Sequence, residues 1–198
     1  MKQTLTRIIH GFHAKGWTPA TSSNFSFRAA QGFWITGSGL DKGELDSRDF
    51  VLVQVAADGT WQARGGKPSA ETTLHAWVYA HFPQARCVFH VHPPQLTVLS
   101  LLSAETVQFQ GLELIKGIEG HTSHEEVLSL PVVPNAQDMT ALAARLNPAG
   151  MDHGFLVAGH GLYAWGNSPQ AAQRHVETFE FLADCALKLG LYGHTLDS

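Results

Sequence analysis

The 198-residue chain predicts one α/β domain over residues 1–198, with helices on both faces of a mostly antiparallel central sheet in α/β/α layers. Three observations carry that expectation. The length suits a single medium-sized core, and no shift of composition divides it. Short β-rich or alternating runs are bounded by hairpin and turn signals. Stretches with helical periodicity lie between them.

Leu5, Ile8, Ile9 and Phe12 form an i, i+3, i+4, i+7 stripe, so a first helix is expected there with Gly16 as its stop. Phe25-Ser26-Phe27-Arg28 alternates as a strand, and Gly32 to Thr36 reads as its hairpin partner. Phe50 to Ala56 is a third strand, and the Asp58-Gly59 turn leads to a short one around Trp61. Pro68-Ser69-Ala70-Glu71 opens a helix with Ser69 as N-cap and Glu71 in the first turn. Leu74, Trp77 and Val78 give its buried face, and Phe82-Pro83 ends it. Arg86 to Val91 is β-rich, Pro94 to Leu102 helical, and Val132-Val133 lies in a strand. Gln137 to Leu146 is expected as a helix, Gly154 to Ala158 as a strand, and Leu162 to Trp165 as its partner. Ser168-Pro169 caps a long last helix that ends near Gly190.

Formal net charge is -4 and the sequence pI about 6.3. With no basic stripe, nucleic acid is not an expected partner. No run of 18 apolar residues occurs and the opening segment lacks the apolar core of a secretion signal, so no membrane association and a cytoplasmic location are expected. Cys87 and Cys185 lie in apolar segments and read as free thiols in a reducing compartment. Charged residues make up 15% against a norm of roughly 25%, which suggests surface covered in an oligomer.

The chemistry is concentrated in Phe89-His90-Val91-His92-Pro93 and Gly159-His160-Gly161. Histidines at i and i+2 of a strand share a face. A third, flanked by glycines on a turn, suits a place where backbone approaches a site closely. Three imidazoles with an open coordination position are a catalytic metal's ligand set, zinc above iron, manganese or cobalt. Glu71 either aims at that pocket or serves the helix dipole; Glu113 is either on a solvated face or held in a cleft. The residues alone leave both open. His121, His124, Glu125 and Glu126 read as a solvated polar loop. Ser22 to Ser26, Thr36 to Gly39 and Pro68 to Ala70 are rich in small hydroxyl residues and glycine at element boundaries. With a metal, they point to a small phosphorylated substrate.

Taken in order, Thr21-Ser22-Ser23-Asn24-Phe25-Ser26, Ile35-Thr36-Gly37-Ser38-Gly39-Leu40, Lys67-Pro68-Ser69-Ala70-Glu71, His90-Val91-His92-Pro93 and Gly159-His160-Gly161-Leu162 resemble the class II aldolase/adducin family. Leu112 to Ile118 and Trp34 to Gly39 are most similar to its sugar-phosphate dehydratases. The resemblance implies the class II aldolase-like fold, one zinc ion per subunit held by His90, His92 and His160, and a homotetramer acting on a phosphorylated ketose. It implies that Asn24, Ser26, Ser38, Gly39 and Ser69 line the phosphate pocket. Glu113 matches the dehydratases' acid/base carboxylate and Glu71 the aldolases' catalytic glutamate. Two positions depart from the aldolase pattern: Ser23 stands where aldolases usually have glycine, and Ala70 replaces a second serine. The first is expected to crowd the phosphate, and the second removes a hydroxyl donor. The alternatives are a sugar-phosphate aldolase or 4-epimerase and a non-catalytic adducin-like interaction domain.

Overall fold

The structure is a computed structural model that describes residues 1–56 and 58–191; the rest of the expected 1–198 domain lies outside the described residues. The chain opens with α1 (Lys2–Ala14), whose buried side chains are Leu5, Ile8, Ile9 and Phe12. It stops where Gly16 takes a φ of 75°, a conformation a side chain would resist. β1 (Asn24–Ala29) and β2 (Gly32–Thr36) form the expected hairpin, followed by β3 (Phe50–Val55) and β4 (Trp61–Arg64). Then come α2 (Thr72–His81), β5 (Cys87–Val91) and α3 (Pro94–Leu102). The second half holds β6 (Thr106–Phe109), a 3-10 turn (Glu113–Gly117), β7 (Leu128–Val133), α4 (Met139–Ala143), β8 (Gly154–Val157), β9 (Gly161–Gly166) and α5 (Pro169–Leu191).

The strands make a nine-stranded sheet in the order β4-β3-β2-β1-β5-β9-β8-β7-β6. Every pairing is antiparallel except β7 with β8. One face packs against α1, α3 and α5, through Ile9, Phe12, Leu96, Phe179 and Leu182 over Phe25, Phe89 and Leu162. The other packs against α2 and α4, through Leu74, Val78 and Leu142 over Ile35, Val88, Tyr163 and Trp165. All five residues of β5 are buried. That is the signature of a strand covered on both sides, and it explains why Cys87 to Val91 reads as a continuous apolar run.

The layered, mostly antiparallel architecture agrees with expectation; three local readings do not. The helix expected over residues 137–146 is α-helical only from Met139 to Ala143. Asp138 caps its start, and its last turn tightens into i→i+3 bonds from Arg145 and Leu146 to Leu142 and Ala143. α5 continues through Gly190, which keeps a helical backbone instead of turning into a cap. Thr106-Val107-Gln108-Phe109 is a strand the sequence reading passed over; its short alternation puts only Val107 and Phe109 inward. Cys87 is buried and Cys185 half-buried, both free.

Gly32 shows how tightly β2 is fixed against β3. A Cβ there would sit 2.0 Å from the Val53 carbonyl oxygen, at a φ of 138°. Gly32→Ala should therefore cost about 2–3 kcal/mol in urea unfolding. Gly11→Ala on α1, where the new methyl meets nothing within 4 Å, should stabilise by about 0.5–1 kcal/mol. A neutral Gly32→Ala would contradict the β2–β3 register.

Candidate metal centre and active site

Alternation along β5 turns Cys87, Phe89 and Val91 to one face and Val88 and His90 to the other. His90 is wholly buried and stacks on Tyr163 of the neighbouring β9, with ring centroids 4.2 Å apart. The turn between β8 and β9 brings in His160. Gly159 before it takes a φ of 63°, and Gly161 after it lies against β5, where a Cβ would meet the Val91 carbonyl at 2.4 Å and His90 Cε1 at 3.2 Å. The glycine–histidine–glycine motif thus serves two requirements, a left-handed turn and a close approach.

The three histidines converge. Their rings lie 4.5, 4.9 and 5.0 Å apart pairwise, and one nitrogen from each falls within 4.8 Å of the others. His90 Nδ1 donates to the Leu162 carbonyl at 3.0 Å, which leaves Nε2 with a bare lone pair. His92 Nδ1 meets Ser23 Oγ at 3.0 Å. The Nε2 atoms of His90 and His92 then face each other at 3.2 Å. Glu71 closes the ring, with Oε2 3.2 Å from His90 Nε2 and Oε1 3.3 Å from His160 Nε2. Lone pairs crowded at such distances repel unless a positive centre sits among them. Burial pushes His90 down to about 4 and His92 to about 3, so both rings are neutral at neutral pH and the missing charge is not theirs. The donor set fits a divalent cation.

Glu71 is not in the first turn of α2, as expected, but one step earlier at its N-cap. From there its carboxylate turns inward. Ser69 takes the capping role, with Oγ accepting the Glu71 amide at 3.3 Å and its carbonyl accepting from the Thr72 amide and hydroxyl. Burial alone would raise the Glu71 carboxyl. His90, His160, Asn24 and Tyr163 outweigh that and hold it well below the usual carboxylate range. The attraction to His90 requires an imidazolium, which burial denies it, so the lasting contribution comes from the neutral donors. Asn24 Nδ2 donates to Oε2 at 2.9 Å and the Tyr163 hydroxyl at 2.5 Å.

Behind Asn24 stands a buried relay. His75 Nε2 donates to Asn24 Oδ1 at 2.6 Å, and His75 Nδ1 accepts from the Ser26 hydroxyl at 2.6 Å. Tyr79 meets Ser26 at 2.8 Å. Burial lowers His75 to about 3, fixing it as a neutral bridge. Asn24 and Ser26, expected to line a phosphate pocket, are buried; Asn24 holds Glu71 directly and Ser26 supports it through His75, because inward-facing polar groups on a central strand must find partners. The sequence signal for His75 was its helical spacing from Glu71, one turn on.

The remaining loop residues do assemble. The Gly37–Pro68 bridge, Ser38 N to Lys67 O at 3.1 Å and Ser69 N to Thr36 O at 3.2 Å join the Thr36–Gly39 and Lys67–Ser69 segments. Ser38 is half-buried, Gly39 exposed and Ser69 buried. Between them and the Thr21–Ser23 segment sits Lys42, unremarked in the sequence, only 1% exposed, its Nζ donating to Leu40 O at 2.7 Å and Thr21 O at 3.3 Å. Burial lowers its pKa to about 8. Glu113 lies elsewhere: its side chain is 69% exposed on the 3-10 turn, paired with Lys116 and 3.6 Å from His124 Nδ1. The 121–126 loop closes on itself through Glu126, which accepts from the Thr122 and Ser123 amides. In a second grouping of metal-type side chains, Glu119, His153 and His175, both ring nitrogens of His175 are already engaged. His175 Nδ1 donates to Trp165 O at 2.8 Å and its Nε2 accepts the Glu119 amide at 3.2 Å.

Comparison with known proteins places this centre in a lineage. The profile of the Class II Aldolase and Adducin N-terminal domain matches residues 3–187. The chain belongs to this family. Among its relatives are the methylthioribulose-1-phosphate dehydratase of Xanthomonas oryzae pv. oryzae (strain PXO99A), 48% identical over 88% of this chain and 79% of that protein, and that of Citrobacter koseri, 43% identical over 89% and 88%. Among solved structures, YgbL from Escherichia coli superposes with a TM-score of 0.79 at 28% identity, covering 96% of this chain and 89% of that one. The L-fuculose-1-phosphate aldolase of Thermus thermophilus shares the fold, with a TM-score of 0.78 at 24% identity and 98% of each chain covered. No helix among the described residues is long and apolar enough to cross a membrane.

Gly161→Ala tests the convergence directly. Its methyl would press on the Val91 carbonyl and on the rings of His90 and His92, so metal retained after dialysis, measured by elemental analysis, should fall at least tenfold relative to the parent.

Proposed function

We propose that this protein dehydrates 5-methylthioribulose 1-phosphate to 2,3-diketo-5-methylthiopentyl 1-phosphate in methionine salvage, as a metal-dependent lyase. The observation that carries the reading is the convergence of His90, His92 and His160 beside an ionised Glu71, in a chain 43–48% identical to dehydratases of that name. Neutral imidazoles suit zinc, one ion per subunit. When bound, it supplies Lewis-acid polarisation of the substrate's C2 carbonyl. The three histidines hold it, and Glu71 is kept anionic beside it by Asn24 and Tyr163.

Water is lost by removal of the C3 proton and departure of the C4 hydroxyl with a proton, leaving an enol that ketonises. Glu113 moves those protons. Because it sits outside its own protomer's histidine cluster, it acts at a neighbouring subunit's site in a homotetramer. The exposed apolar side chains of α3, Val98, Leu101 and Leu102, at 48%, 69% and 69% exposure, give such an assembly surface to cover. Lys42, Ser38, Gly39 and Ser69 bind the phosphate end. The chain works as one domain in the cytoplasm.

Offering purified protein methylthioribulose 1-phosphate and fuculose 1-phosphate separates dehydration from aldol cleavage; the expected product has lost one water, and cleavage into two fragments would assign the protein to the aldolases. Chelation should abolish turnover and zinc restore it. Glu113→Gln should lower kcat by about 10²–10⁴-fold with metal content unchanged. Mixed oligomers of Glu113→Gln and His160→Ala should regain activity that neither homo-oligomer has; no recovery would place Glu113 outside a shared site. Lys42→Met should raise KM at least tenfold with a smaller change in kcat.

A further inference from the structure

Ser23 occupies a backbone conformation that its side chain opposes. Its φ is 71°, in the left-handed region where glycine is at home and a Cβ costs free energy. Serine there demands a compensating contact, and one is present. Ser23 is only 7% exposed, and its Oγ lies 3.0 Å from His92 Nδ1 and 3.4 Å from the Trp17 carbonyl oxygen. The Trp17 carbonyl also accepts the His92 backbone amide at 2.8 Å. One hydroxyl thus accepts from Nδ1 and donates onward to the carbonyl that pins the same residue's main chain.

We propose that Ser23 is a positioning residue for His92, fixing the ring's orientation and its Nδ1-protonated tautomer so that Nε2 is presented to the metal. The inference rests on the reading of His90, His92 and His160 as a metal centre. His90 gains the same service from a backbone carbonyl, Leu162 O. His92 lies past the end of β5, where no ladder carbonyl faces it, so a side chain supplies the acceptor. Ser23, expected to crowd a phosphate, turns its hydroxyl to the His92 ring. Glycine at this position would suit the backbone and leave Nδ1 without its partner.

Backbone ease and ligand geometry therefore make opposite demands on this residue. Ser23→Gly relieves the strained φ and removes the hydroxyl; Ser23→Ala removes the hydroxyl and keeps the strain. Both should weaken zinc binding by about 10–100-fold in chelator competition. Melting of the metal-free protein should rise by about 2–4 °C for Ser23→Gly and not rise for Ser23→Ala. Imidazole ¹⁵N spectra of the metal-free parent should show His92 protonated at Nδ1, and both variants should lose that preference. Zinc affinities within twofold of the parent, or a Ser23→Gly protein that loses affinity and melting temperature together, would overturn the proposal. A parent that holds no zinc would instead sink the metal centre itself.

Discussion

Everything in this molecule converges on one electrostatic problem, the placing of several lone pairs around a single point. Three imidazole nitrogens and a carboxylate approach to 3.2–3.3 Å. Burial keeps His90 and His92 uncharged, so these two rings do not neutralise it. Such an arrangement holds in a fold only when the surroundings prevent the side chains from relaxing apart, and when a cation rewards them for staying.

The surroundings do this with rigid elements. β5 is buried on both faces, and its partner β9 places Tyr163 opposite His90 in register. The Tyr163 ring stacks on the histidine while its hydroxyl reaches Glu71. Asn24, opposite His90 on the other flank through β1, completes the grip on the carboxylate. His90 and the two residues that grip Glu71, Asn24 and Tyr163, thus lie on three adjacent strands whose spacing the sheet dictates, and side chains on strands can be aimed more finely than side chains on loops.

The outer contacts differ by ligand in a way that follows position. Inside the ladder, a carbonyl orients the ring; beyond it, Ser23 does. His160 rides a turn, and its Nδ1 is buried without a hydrogen-bond partner among the described residues. The polar groups behind Glu71 form a continuous chain from Tyr79 through Ser26 and His75 to Asn24, which holds the carboxylate. Lys42 has a different character. It is a buried ammonium whose hydrogen-bond partners are two neutral carbonyls, and it ties its own loop to the Thr21–Ser23 segment.

The sequence by itself determined the layers, because period-two and helical stripes are local properties of the chain, and it marked the three converging histidines, because His-x-His at the end of a strand and a glycine-flanked histidine on a turn are geometric statements already. It also marked Glu71, though not which way the side chain turned. What only the tertiary structure decided is the division of labour among polar residues. Asn24 and Ser26 meet His75 only because β1 places them there; Ser23 meets His92 only through the segment after α1; Lys42 carried no signal at all. Each of those assignments depends on a partner distant in the chain, and a hydroxyl or amide acquires its role from the group it meets in space, which one-dimensional spacing does not encode.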